Sequence, residues 1–144
     1  MKINRYFLLL TTATFIYACS LTSIAETVVV VHPSNNESAL GIKVVKKLFL
    51  VKTSSFPGGG KATPADQPEG SGIRSSFYKN VAGKNDAQMK SYWSKMIFSG
   101  KASPPIIVND DAAIKSWVAS NPNGIGYIDS SQVDTSVKVV LSIP

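Results

Sequence analysis

The chain has 144 residues, 44% hydrophobic and 17% charged, with net charge +6, one cysteine and one histidine. The length suits one domain, the lone cysteine excludes a disulfide framework, and the absence of a Cys/His cluster excludes a zinc site of the usual kind. The positive charge is spread without a basic run, which argues against nucleic-acid binding and for weak attraction of small anions.

Lys2 and Arg5 form a short basic start, Tyr6 to Ala18 an apolar stretch that is short for a membrane span, and Ser23-Ile24-Ala25 a small-residue cleavage site. Residues 1–25 therefore read as a signal peptide and 26–144 as a single exported domain. Lipid attachment at Cys19 is the alternative; Ala18 fits it and the bulky Tyr17 does not. Loss of Lys2 and Arg5 lowers the charge from +6 to +4 and leaves no thiol, so the domain depends on its core alone.

Thr27 to His32 is a β-branched run ending at Pro33, as in a buried strand of a parallel sheet. A turn, Pro33-Ser34-Asn35-Asn36, follows. Ser38 is the expected cap of a helix with Leu40, Val44, Val45 and Leu48 on its apolar face and Lys43, Lys46 and Lys47 in solvent. Val51 to Thr63 reads as loop. Its Gly58-Gly59-Gly60-Lys61 invites a phosphate-loop reading, which fails because Ser55 stands where a glycine is needed and Ala62 where a serine or threonine is needed. A hairpin-like turn is expected instead.

Gln67-Pro68-Glu69-Gly70-Ser71-Gly72 then leads into a helix, with Ser71 as N-cap and Ile73, Phe77 and Val81 at helical spacing. Such a start aims several N–H groups and the positive end of the helix dipole at one spot. The hydroxyls of Ser71 and Ser75 and the Arg74 guanidinium are candidates to converge there on an oxyanion. A simple helix start reads the same way, and both readings stay open at this point.

Gly83 or Asn85 is expected to end that helix and Asp86 to begin another, whose stripe of Met89, Tyr92, Trp93, Met96 and Ile97 is core. Ile106 to Val108 is a candidate strand. Asp110 and Asp111 open a third amphipathic helix, with Ala113, Ile114, Trp117 and Val118 buried, and Asn121 to Gly124 stop it. Ile125 to Ile128 and Val137 to Leu141 are the last strands. Alternating helices and short apolar strands define an α/β layer structure with a mixed, mostly parallel sheet, in which loops leading into helices form the ligand site. His32 reads as a strand-end residue, and Asp110 and Asp111, being sequential, do not face each other as a catalytic dyad would. With no nucleophile elbow and one base, the chain reads as a non-enzyme with no cofactor and no metal.

Three segments resemble the phosphate ABC transporter substrate-binding proteins of the bacterial periplasm, especially their short, one-lobe relatives. They are Val45 to Lys52, Pro64 to Phe77, and Asn121 to Ile128 with its Ile-Gly-Tyr; Phe98-Ser99-Gly100-Lys101 also fits the short relatives. The resemblance implies a single lobe of a type II periplasmic-binding-protein-like fold. In the larger members the phosphate loop reads Arg, any, Asp, Gly, Ser, Gly, Thr. The matching positions here are Gln67, Glu69, Gly70, Ser71, Gly72 and Ile73. Ser71 and Gly72 are kept, Glu69 keeps a carboxylate, Gln67 loses the charge and Ile73 the hydroxyl, with Arg74 a nearby cation. The implied phosphate ligands are therefore Gln67, Glu69, Gly70, Ser71, Gly72, Arg74 and Ser75, with Ser34 and Asn35 as rim donors. The implied partners are inorganic phosphate or a similar oxyanion, and membrane subunits of an ABC transporter or another envelope protein. A periplasmic adaptor that kept the lobe and lost the ligand is the alternative.

Overall fold

The computed structural model describes residues 25–144; the expected signal peptide and Cys19 lie outside the described residues. The sheet is assembled around Thr27–Val31 (β1), five residues buried on both faces. Val29 and Val31 enter one core and Val28 and Val30 the other. That double burial accounts for the unbroken β-branched run. It does not require parallel neighbours. Both partners of β1, Gly124–Asp129 (β4) and Lys138–Ile143 (β5), run antiparallel to it.

The remaining strands are Thr63–Asp66 (β2), parallel to β4, and Ile106–Ile107 (β3), parallel to β2. The order is β3-β2-β4-β1-β5. The sheet is mixed as expected, though parallel pairing accounts for two of its four interfaces. β2 begins at the last residue of the expected Val51 to Thr63 loop and runs through Pro64 to Asp66, where no element is expected, because Thr-Pro-Ala-Asp carries no strand signal. Its proline is tolerated at the second position of a short strand whose burial supplies the stability.

Four helices cover the two faces. Ile42–Phe49 (α1), Gly72–Ala82 (α2) and Asp86–Phe98 (α3) pack with Val29, Ile125 and Tyr127 on one side. Asp111–Ser120 (α4) covers the other through Ile114 and Val118. α1 begins later than expected. Gly41 is its N-cap, without a side-chain cap, and Leu40 is instead held by its N–H on the Val140 carbonyl, 2.8 Å. Ser71, Asn85 and Asp110 cap α2, α3 and α4, and Gly83 closes α2 in the left-handed conformation. The glycine loop folds as a hairpin-like turn with Ser55 bridged to Lys61. Ile97 departs from the expected core stripe: it is 56% exposed, whereas Met89 and Trp93 are buried.

The sequence Gly124-Ile125-Gly126-Tyr127 has a packing reason. A Cβ at Gly126 would stand 2.6 Å from Cγ2 of Ile114, and one at Gly124 would stand 2.8 Å from the Trp117 ring. α4 thus lies directly on the β4 backbone. Gly126→Ala is expected to destabilise the domain by about 1–3 kcal/mol in urea unfolding. Combining it with Ile114→Leu, which removes the opposing methyl, should recover part of the loss.

Candidate functional site

β2 delivers Asp66 to the end of the sheet beside β4 and α2. Its side chain is 1% exposed, and a carboxylate so buried requires donors. Oδ1 accepts from the Gln67 N–H at 2.8 Å and from the Tyr127 hydroxyl. Oδ2 accepts from the Tyr78 hydroxyl at 2.9 Å and from Arg74 Nε at 3.2 Å. Beneath them lie Phe77, stacked on Tyr127 with ring centroids 3.9 Å apart, and Phe49 edge-on to both.

Arg74 is buried although it follows the helix cap by only three positions. Its second contact is Nη1 to Asp86 Oδ1 at 3.4 Å, and its guanidinium lies 5.1 Å from the Tyr78 ring centroid. Burial alone would lower its pKa. Asp66 foremost, with Tyr78 and Tyr127, more than offsets that and leaves it raised. Burial, then the neighbouring Asp66 charge, holds the Tyr78 and Tyr127 hydroxyls well above their ordinary value.

Gln67 is drawn in as well. Its Nε2 donates to Asp111 Oδ1 at 2.6 Å and to the Tyr127 carbonyl at 3.4 Å. Its Oε1 accepts from the Ser71 hydroxyl at 2.9 Å. The same Ser71 oxygen caps the Arg74 N–H at 3.4 Å. Ser75 donates to Asp86 Oδ2 at 2.5 Å. Asp111 accepts from the Asp129 N–H through its other oxygen. The side-chain donors expected to meet an anion thus have partners inside the protein: Asp111 for Gln67, Asp66 and Asp86 for Arg74, Asp86 for Ser75, and Gln67 for Ser71.

The backbone is not engaged in the same way. Gly70 takes φ +88°, a conformation that favours glycine, and turns the chain into α2. Gly72 and Ile73 are its first two residues, whose N–H groups have no acceptor inside a helix. A Cβ at Gly72 would meet nothing within 4 Å, so the surface there is open. Glu69 is exposed and lines a cleft of about 440 Å³ with Asp66, Arg74 and Lys90.

Ser34 and Asn35 do not join this site. β1 is antiparallel to β4, with Val31 opposite Ile125 and Thr27 opposite Asp129. The turn after β1 therefore reaches the end of the sheet where β2 and β4 begin, whereas the α2 start lies where they finish. Ser34 bonds the His32 ring at 2.7 Å, and Asn35 accepts from the Glu37 N–H at 2.8 Å.

Sequence reasoning passed over Asp66, Tyr78, Asp86 and Tyr127 as site residues. The usable signal was Asp66, an acid in an otherwise apolar Pro-Ala-Asp immediately before a glycine turn.

The architecture is that of one lobe of a periplasmic phosphate-binding protein. Solved structures similar to it are phosphate ABC transporter substrate-binding proteins. One from Clostridium perfringens, with bound phosphate, matches with a TM-score of 0.65 at 26% identity, over 81% of this chain and 45% of its own. An ABC-type phosphate transport receptor from Vibrio cholerae gives 0.63 at 20% identity, over 81% and 46%. PstS from Borrelia burgdorferi gives 0.61 at 14%, over 81% and 47%; the last two speak for the fold alone. The chain spans less than half the length of each. No protein-family model matches the chain, and no curated protein matches it by sequence.

Two outcomes test the buried network. Arg74→Ala leaves Asp66 buried without its cation and is expected to cost about 3–5 kcal/mol in denaturant unfolding. The tyrosine shifts set a pH window. A pKa raised by folding gives stability that is complete below the unfolded value near 10 and lost as pH rises above it. In native residues 26–144, absorbance at 295 nm should therefore show two of the three tyrosines, Tyr78 and Tyr127, ionising only with alkaline unfolding, while the partly exposed Tyr92 titrates before it.

Proposed function

We propose that residues 26–144 form an exported oxyanion-binding module, with phosphate as its first ligand. The observation that carries this is the Gly70-Ser71-Gly72 turn, which leaves the Gly72 and Ile73 amides open at the positive end of α2. Likeness to a protein that binds phosphate, at 26% identity, supports it. Arg74 contributes charge from the side, because two of its five N–H groups are used and three remain. Gln67 and Ser71 act as the frame that fixes the turn, and Ser75 ties it to Asp86. Glu69, exposed beside the turn, is placed to accept from a protonated phosphate.

The chain spans less than half the length of the similar proteins, and its described residues offer an anion one wall. Binding by this lobe alone is accordingly weak and sensitive to salt. Delivery to ABC transporter membrane subunits, a periplasmic address and the signal peptide over residues 1–25 belong to the same reading, as does a non-enzymatic role.

A second reading, an adaptor that kept the lobe and lost the ligand, is favoured by one observation. The side-chain donors Gln67, Ser71 and Ser75 are satisfied within the protein, and Arg74 is tied to Asp66 and Asp86.

Isothermal titration with phosphate and with sulfate distinguishes the two. The oxyanion reading expects saturable phosphate binding. Gly72→Pro should abolish it without unfolding the domain, since proline suits the first helical position and removes only the N–H there. Asp86→Asn, which frees Arg74 from a competing carboxylate, should tighten it. Flat titrations of a well-folded sample with both anions would sink this reading in favour of the adaptor.

A further inference from the structure

Large apolar side chains are exposed where α3 ends and β3 runs, with Ile97 and Ile107 on one cleft and Ile106 on the opposite face of its strand. Ile97 is 56% exposed and Phe98 94%, at the end of α3; Ile106 is 45% and Ile107 58%, and they make up β3. Ile97 and Ile107 share the wall of the cleft of about 440 Å³, together with Pro68, Trp93 and Pro104. Scattered exposed apolar residues need no explanation, but a grouped set beside a concavity marks an interaction surface.

The strand at this patch is an edge. β3 pairs with β2 on one side and ends the sheet on the other. The Val108 N–H donates to the Asp66 carbonyl at 2.8 Å. Alternation of backbone groups along a strand then turns the N–H and C=O of Ile107 outward. No described strand takes them up. Unpaired edge groups next to side-chain pockets are what a docking strand uses, its main chain extending the sheet and alternate side chains filling the pockets.

Charge selects the occupant. Lys90 stands on the cleft wall, exposed and in no ion pair among the described residues, whereas Lys95 lies on another side of α3 in a hollow with Ser91 and Tyr92. Asp86, at the far end of α3, is held by Arg74 and Ser75. Glu69 lies on the same cleft, across from α3, so carboxylates are welcome on the lysine side only. A second copy of this chain would bring a β3 of only two residues, too short to extend the sheet by more than a few main-chain bonds. A lipid surface would meet Phe98 but leave the cleft and the outward groups of Ile107 without partners.

We propose that β3 and the adjoining cleft dock an extended segment of a partner protein. Apolar residues at alternate positions of that segment fill the cleft, and an acidic residue meets Lys90. This surface borders the anion site through Glu69 and Arg74 but uses neither the Gly72 nor the Ile73 amide, and its test reads peptide, not phosphate.

The test pans a random peptide library displayed on phage against immobilised residues 26–144, then measures one enriched peptide in solution by fluorescence polarisation. Enrichment of sequences that alternate apolar residues and carry Asp or Glu is expected. The peptide's affinity should fall about tenfold or more for Ile107→Lys and for Lys90→Glu, and also in high salt, with the circular dichroism of both variants unchanged. Three results would overturn the proposal: no acidic-apolar consensus; peptide binding indifferent to Ile107→Lys; or Phe98-dependent sedimentation with phosphatidylglycerol vesicles in the absence of peptide binding. Dimerisation by light scattering that Ile107→Lys abolishes would likewise replace the partner with a second copy.

Discussion

A carboxylate with 1% exposure must collect donors or lose its charge, and Asp66 collects them from β2, α2 and β4 at once. That requirement orders the end of the sheet. Tyr127 reaches it from β4, and Tyr78 and Arg74 reach it from successive turns of α2. The helix is therefore fixed in rotation about its axis as well as in position. Asp86 then ties the start of α3 to the same guanidinium. The aromatic stack of Phe49, Phe77 and Tyr127 fills the space below and keeps water from the pair.

The functional consequence is a division between side chains and backbone. Side chains that seem made for an anion are spent on internal carboxylates, and Gln67 is the clearest case. At the position where the sequence resemblance leads one to expect an arginine, this chain has an amide that bridges Asp111, the Tyr127 carbonyl and Ser71. It braces the turn instead of presenting charge. What the turn offers outward is the pair of amides at Gly72 and Ile73, a weaker but sequence-tolerant device. The same end of the sheet carries the β3 edge and its apolar cleft, so ligand and partner surfaces lie close together on one half of a fold that its relatives complete with a second lobe.

Much of the fold was legible in the sequence because local rules and tertiary demands agreed. Ser71, Asn85 and Asp110 are caps that also begin apolar periodicities, and Gly83 falls where a helix needs a left-handed residue. The β1 run was legible as buried, but its direction was not, since double burial leaves the same pattern in parallel and antiparallel surroundings. That ambiguity misplaced Ser34 and Asn35, which an antiparallel β1 carries to the other end of the sheet. β2 was hidden because a four-residue strand containing proline has no periodicity to read. With β2 hidden, Asp66 had no address, and Arg74 looked like a free cation on a helix surface. Ile97 was assigned to the core on spacing alone, which cannot tell a covered stripe from one that runs past the edge of its sheet.

The most direct test follows the amide resonances of isotope-labelled residues 26–144 as phosphate is added. The account predicts saturable shifts at Gly72 and Ile73, with the Arg74 Nε–H remaining slowly exchanging on Asp66. Unmoved Gly72 and Ile73 resonances at saturating phosphate, or an Arg74 Nε–H that exchanges freely in the folded domain, would contradict it.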